Sequence, residues 1–321
     1  MLARRGVLGA ALLAPGMARA QGGPLGWPTR PVRVVVPFTP GGSNDAMARP
    51  LAERLQAHFG QPFVIENRPG AGSAVGVQQV AMAAPDGHTL LVTTSSVAAI
   101  APVQRINFDA GRELDGISLL ATSPLVVLVP AGSRLTGIQE LAAEARRRPG
   151  EVTFASSGPG STTHLVSELF GLRAGVQMQH IPYRGTAGAL TDLVAGRVDV
   201  MFTTIASSAG QLRGGLLKIL AYTATGRPEG TPDAPTVKEA GIDYESTIWW
   251  GLFGPRGLPA AVRAGLNAAT NATLREPGFM RYLAGEGAVA AGLTPDAFQA
   301  MIRAEQVAMR DVVAAAKITA D

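Results

Sequence analysis

Val32-Arg33-Val34-Val35-Val36-Pro37-Phe38 runs straight into Thr39-Pro40-Gly41-Gly42-Ser43-Asn44-Asp45-Ala46-Met47-Ala48-Arg49. The valine-rich half reads as a buried strand, because an apolar run this short and this β-branched suits a sheet covered on both faces. The glycine pair permits a tight turn, and Ser43 or Asn44 can cap the helix that the spacing predicts over 45–58. Working outward, Phe63–Glu66 reads as a strand, 73–83 as a helix and Thr89–Thr93 as a third strand. Strands alternating with helices predict an α/β fold with a mostly parallel sheet.

The pattern recurs. Leu125–Val129, Val152–Ala155, Met178–Tyr183, Val198–Thr203 and Leu217–Thr223 read as strands, with helices over 138–148, 161–172 and 187–195. From Pro259 to Lys317 the periodicity is helical throughout, broken at Pro277-Gly278 and Gly292–Pro295. With 321 residues the chain exceeds one ordinary core, so two domains are expected. Strand-like segments that meet Pro or Gly, Ser118–Pro124 and Thr247–Gly254, are the candidate crossings between them.

Composition removes several chemistries. The chain has no cysteine, so disulfides, thiolate metal sites and a cysteine nucleophile are out, and four scattered histidines do not suggest a metal centre. Arg4-Arg5, the apolar run Gly6–Leu13 and Ala18-Arg19-Ala20 form an export signal with an A-x-A cleavage site, predicting a signal peptide over 1–20. Its removal takes Arg4, Arg5 and Arg19, leaving 25 basic against 24 acidic residues, from 28 against 24 in the whole chain. A mature charge near neutral gives no footprint for nucleic acid. No later run reaches the roughly 18 uninterrupted apolar residues of a spanning helix, so a soluble exported protein is expected.

Three loops could carry chemistry. The first is the Gly41-Gly42 turn, where free N–H groups at a helix start favour an anion; capping alone would explain Ser43 to Asp45, and Asp45 could itself satisfy the helix end. The second, Ser156-Ser157-Gly158-Pro159-Gly160-Ser161-Thr162-Thr163-His164, again joins a strand to a helix, with hydroxyls and no competing carboxylate. The third is Tyr183-Arg184-Gly185-Thr186, where an isolated loop arginine is ordinarily a solvated surface residue.

Other features argue for ordinary structure. Gly70-Ala71-Gly72-Ser73-Ala74-Val75-Gly76 follows a strand but lacks dinucleotide spacing, and Ser95-Ser96 supplies no acid for a ribose, against a cytosolic dinucleotide enzyme. Ser161 and His164 could serve an exported hydrolase, yet there is no G-x-S-x-G elbow. Trp249-Trp250 reads as core.

Taken in order, Trp27-Pro28-Thr29-Arg30-Pro31, the Pro37–Asp45 loop with Arg49, Glu66-Asn67-Arg68-Pro69-Gly70-Ala71-Gly72, Pro85-Asp86-Gly87-His88-Thr89-Leu90-Leu91, Phe154–Leu165, His180–Gly185, Ala189–Leu193, Val198-Asp199, Pro232–Thr236 and Glu239-Ala240-Gly241 resemble the Bug (TctC-type) receptors of tripartite tricarboxylate transporters. The likeness spans essentially the whole mature chain, departing at Ser73, Arg184, His88 and Thr186-Ala187-Gly188. It implies a type II periplasmic-binding-protein fold: two α/β domains, an interleaved chain and a hinge, with domain one over 31–120 plus 254–321 and domain two over 121–253. It also implies a non-catalytic, monomeric periplasmic protein that needs no cofactor or metal. Such a protein would capture a small carboxylate between the domains for membrane transporter subunits, or in some cases for sensing. The candidate ligand-binding residues are then Phe38, Thr39, Gly41, Gly42, Asp45 and Ser95 on one side. On the other are Ser157, Gly160, Ser161, Thr162, His164, Tyr183, Gly185, Thr186 and Asp199.

Overall fold

The computed structural model describes residues 26–224 and 226–319, so the export signal and its cleavage site near Ala20 lie outside the described residues. Eleven strands build two sheets: β1 Val32–Val36, β2 Phe63–Asn67, β3 Thr89–Thr94, β4 Leu114–Pro124, β5 Val126–Pro130, β6 Thr153–Ser156, β7 Gln179–Pro182, β8 Val200–Thr203, β9 Leu217–Tyr222, β10 Thr247–Pro255 and β11 Val289–Ala290. The first sheet runs β11-β4-β10-β3-β1-β2, and the second β7-β6-β8-β5-β9. The chain therefore leaves the first sheet at the end of β4, builds the whole second sheet, and rejoins the first at β10. Helices cover the sheet faces, and among the described residues no helix is long and apolar enough to cross a membrane.

The sheets are mixed, which corrects the expectation of a mostly parallel one. β1 is parallel to β2 and β3, and β6 to β7 and β8, but β10 is antiparallel to both β3 and β4, and β5 to both β8 and β9. The cause is topological: a strand that carries the chain out and one that brings it back must run in opposite directions. Apolar continuity reports burial on two faces, not direction. The C-terminal part is likewise not purely helical, since Val289 and Ala290 pair with Thr122 and Ala121 at the sheet edge. Two residues are too few to show a period.

Local chemistry explains the first-sheet helix Ser43–Phe59, which continues through an internal proline, Pro50. A proline donates no N–H to the carbonyl four residues back. Here that carbonyl, Ala46 O, accepts instead from the Tyr282 hydroxyl at 2.8 Å. Burial pushes the Tyr282 phenol up to about 12, so it stays a donor across the ordinary pH range. Behind the sheet, Phe298 of the helix Pro295–Ala315 packs edge-on to Trp249 and tilted against Phe253 at ring-centre distances of 5.7 and 5.1 Å. Gly251 leaves room for that ring: a Cβ there would overlap the ring edge of Phe298. Gly251→Val should therefore overpack this contact and cost about 1–3 kcal/mol, read as a lower denaturant midpoint; an unchanged midpoint would contradict the packing account.

Candidate functional site

Four helices begin where strands end, and their N-termini converge on the space between the sheets. Ser43–Phe59 follows β1, Thr162–Ala174 follows β6, Thr186–Val194 follows β7 and Ile205–Arg213 follows β8. The carboxyl ends of strands are where open α/β sheets offer such loops to a ligand. Two of these helices have glycine, Gly42 and Gly185, at the N-cap, so no capping side chain of their own satisfies their first N–H groups. Unsatisfied N–H groups with the helix dipole behind them favour an anion.

The cavity they enclose has room for only about 20 Å³ of solvent, and its walls come from both sheets. Phe38, Gly42, Ser43, Asn44 and Thr94 line it from the first, Ser157, Thr162, Thr163, Thr186, Thr203 and Thr204 from the second, and Ile248 from β10 between them. Among the described residues no ionisable side chain lines it. The jaws touch directly. Thr162 Oγ1 lies 3.2 Å from Thr94 Oγ1 and 3.0 Å from Ser95 Oγ, and Ser43 N–H donates to Ser207 Oγ at 3.1 Å. At the rim the Gly72 backbone lies against Pro159 and the Gly185 backbone against Thr39; a Cβ on either glycine would overlap its neighbour. The glycines of the 70–76 loop thus serve close approach rather than a dinucleotide.

Of the sequence-predicted residues, Phe38, Gly42, Ser157, Thr162 and Thr186 line the cavity, while Thr39, Ser95 and Gly185 form the jaw contacts just described. The others are placed differently. Asp45 is turned into its own loop, where it accepts from Gly41 N–H at 3.2 Å, Arg49 Nε at 2.7 Å and Asn67 Nδ2 at 3.1 Å. Burial alone would raise its carboxyl, but these hydrogen bonds outweigh it and hold the group below the usual carboxylate range. Gly41 is accordingly a donor to Asp45, and Gly160 packs against Val103. Ser161 caps its helix, taking the His164 N–H, and donates its hydroxyl to Gly158 O at 2.6 Å.

His164 sits behind the loop: its Nδ1 accepts from Gly160 N–H at 3.1 Å, and its ring stacks on His180 at 3.7 Å. Ser161 meets the main chain of His164 rather than its imidazole, so the pair does not form a nucleophile and base. Burial, with His164 alongside, pushes His180 down to about 3 and keeps it neutral, 2.6 Å from Ser156 Oγ. The Tyr183 hydroxyl is committed to Asp192 at 2.7 Å, its phenol raised to about 12 by burial and that carboxylate. Asp199 is at the far end of β8, accepting from Thr153 N–H and Oγ1 at 2.7 Å each. Reading the Val198-Asp199 segment as a site element fails because only the carboxyl end of that strand faces the cleft.

Asp199 instead borders a larger open groove of about 890 Å³ on the outer end of the second sheet. There Glu144 pairs with Arg147 and Arg148, and Glu140 takes the Thr136 N–H. What sets the smaller cleft cavity apart from this groove is the convergence of helix starts and hydroxyls from both sheets. Sequence reasoning put Ser43, Asn44 and Thr163 in the candidate loops without naming them among the binding residues, and missed Thr94, Thr203, Thr204 and Ile248 altogether. Thr204, a threonine after a β-branched strand and before Ile205-Ala206-Ser207, was the available signal for a capped helix start.

Two outcomes test this geometry. Gly72→Val places its branch against the Pro159 backbone, which cannot rotate away, and should hold the jaws apart. Besides the roughly 1–2 kcal/mol cost of a left-handed β-branched residue, ligand should no longer compact the protein in small-angle scattering; compaction equal to that of the parent would refute the contact. Asp45→Asn should cost about 1–3 kcal/mol at neutral pH. Because the folded-state carboxyl is lowered, its contribution is present above the unfolded value of about 3.9 and fades as pH falls through the folded one. Parent and variant stabilities should therefore converge in denaturant melts well below pH 4.

Residues 47–314 match the family described as the tripartite tricarboxylate transporter family receptor. Protein BugT of Bordetella pertussis is 35% identical over 283 residues, 87% of each chain. Among solved structures, R. palustris Rpa4515 with adipate is 34% identical with a TM-score of 0.87, over 91% of this chain and 99% of that one. MatC (Rpa3494) from Rhodopseudomonas palustris with bound malate is 32% identical with a TM-score of 0.85, over 89% of this chain and 100% of that one.

Proposed function

The chain belongs to the tripartite tricarboxylate transporter receptor family, that of the Bug proteins, and from that premise we propose that it captures a small carboxylate in the cleft and delivers it to membrane transporter subunits. It is a periplasmic solute receptor, not an enzyme. In this reading residues 31–120 with 254–321 make one jaw and 121–253 the other, and the jaws close about β4 and β10. The export signal over 1–20 would be removed near Ala20.

One observation carries the carboxylate reading: helix starts and hydroxyls from both jaws converge on a cavity lined by no ionisable side chain. Neutral donors can hold an anion through oriented N–H and O–H groups, with ordered water bridging at nearly the strength of a direct bond. A cavity this small in the closed state also requires the jaws to part before a ligand enters. Adipate and malate, carried by the two related structures, are both small carboxylates.

A thermal-shift screen of mono- and dicarboxylates, aromatic acids and acidic amino acids tests the proposal. A true ligand at 100 times its Kd should add about 2.7 kcal/mol of stability; no shift with any carboxylate would sink it. Thr162→Ala, which removes the hydroxyl shared by both jaws, should weaken the best ligand by about 0.5–1.5 kcal/mol, or up to about 3 if that hydroxyl meets the anion itself. Arg184 is exposed, so Arg184→Ala should cost no more than about 1 kcal/mol. The reverse ranking would mean that a cation holds the ligand.

A further inference from the structure

The contacts across the cleft described so far are hydroxyls and main chain. An apolar one lies behind the second-sheet loop. Ala99 and Val103, which follow β3, Leu165 of the helix after β6, and Val313 and Ile318 near the end of the chain form one buried apolar cluster, with Met309 packed against it. Val103 also touches Gly160, where a Cβ would overlap its side chain. By the division of the chain proposed above, Leu165 and Gly160 belong to one jaw and the other members to the opposite one.

The helix Pro295–Ala315 shows how the cluster is reached. Phe298, Ile302, Gln306, Met309 and Val313 recur every three or four residues, so they share one face. The early part of that face is fixed to the first sheet. Phe298 and Ile302 are core there, Gln306 Oε1 accepts from Gly111 N–H at 2.9 Å, and the adjoining Gln299 Oε1 accepts from Gly116 N–H at 2.8 Å. Met309 and Val313 meet the Leu165 cluster instead. Past the helix the chain turns back: Lys317 has φ 51°, Ile318 N–H donates to Val313 O at 3.0 Å and Lys317 N–H to Ala314 O at 3.3 Å. These paired bonds fold the residue after a left-handed one onto the last helical turn. Glycine ordinarily takes the left-handed position, and a lysine there carries a conformational cost. What that turn achieves is to set Ile318 beside Val313.

We infer that the C-terminal turn is a clasp: Val313 and Ile318, carried on a helix fixed to the first jaw, take up Leu165 of the second when the jaws close, and so set the closed-to-open ratio on which ligand affinity depends. This rests on the jaw closure proposed above and names what biases it. Hydroxyls can exchange one another for water with little net change, whereas an apolar contact opened to water is lost. The closed jaws therefore carry a bias of their own, to which a ligand adds only its preference for that state.

Because the chain has no cysteine, Gln56→Cys and Arg173→Cys, exposed positions near the far ends of the helices Ser43–Phe59 and Thr162–Ala174, can each take one spin label. Electron–electron double resonance then reads the distance distribution between the jaws in the purified full chain, alone and with adipate. Ile318→Ala, three residues from the chain end, and Leu165→Ala on the facing jaw should each lower the closed-to-open ratio about tenfold, on the scale of one side chain's apolar burial. The double variant should fall little further than the worse single one, since both act through one contact. Val307→Ala, exposed on the same helix, should leave the ratio as it is. Because the variants sit on opposite jaws, poor folding of Leu165→Ala leaves Ile318→Ala to decide. An unchanged ratio in the folded variants, or single effects that multiply in full, would overturn the clasp and leave jaw closure standing. One fixed distance in parent and variants alike, with and without adipate, would overturn closure as well.

Discussion

Everything about the cleft depends on the antiparallel pairing of β4 with β10. Its register runs from Thr247 opposite Pro124 to Pro255 opposite Leu114, with shifts after Trp250 and Leu252. These two strands are where the chain departs for the second sheet and where it returns. Fixing one to the other fixes how the sheets face each other, and both then present strand carboxyl ends to the same space. The pair is anchored from the far side as well. Asp115, buried, accepts from Gly257 N–H at 2.8 Å, Leu258 N–H at 2.9 Å and Arg256 Nη1 at 2.7 Å, tying the start of β4 to the segment after β10. Ile248, on β10, forms cavity wall and crossing strand at once.

Charge in this region organises the scaffold rather than the ligand. Asp45, Arg49 and Asn67 make a closed set of hydrogen bonds that shapes the Gly41-Gly42 turn from behind. His164 and His180 do the same for the second-sheet loop through Gly160 and Ser156. Each group is therefore unavailable to bind, yet each sets the direction of the N–H and O–H groups that are available. Such an arrangement suits an anion that must be released again. A buried ion pair would hold more tightly and leave a costly unpaired charge when the ligand departs.

Much of this was legible in the sequence because it is local. The run from Val32 to Arg49 specifies strand, turn and helix through valines and two glycines, and the structure has all three there, although Gly42 rather than Ser43 or Asn44 takes the N-cap position because the helix starts one residue early. The Ser156–His164 loop was equally clear. What could not be read was non-local: the direction of β4 and β10, the edge pairing of Val289 and Ala290, and the entry of Thr94 and Ile248 into the cavity all depend on partners far along the chain. Asp45, Tyr183 and Asp199 mislead for a related reason. Their residue types suit a site, but only the fold shows that Arg49, Asp192 and Thr153 already occupy them. Leu125–Val129 and Leu217–Thr223 were found as strands while their antiparallel pairing was not, which separates what apolar runs encode from what topology adds.

Closure itself is a balance set by small residues. At the cleft the contacts across the jaws are hydroxyl to hydroxyl, at Thr162 with Thr94 and Ser95, and backbone to backbone, at Gly72 with Pro159. Exchanging such hydroxyl contacts for water leaves a net of only about 0.5–1.5 kcal/mol each, so they cannot lock the jaws alone. A ligand shifts the balance only by binding the closed state better than the open one. In the receptor proposed above, the second-sheet groups would meet it only after closure, whereas the helix start at Asn44 would be present in either state. The first sheet can thus recognise the ligand and the second report its presence, a division of labour that follows from one chain building both walls around a single crossing pair.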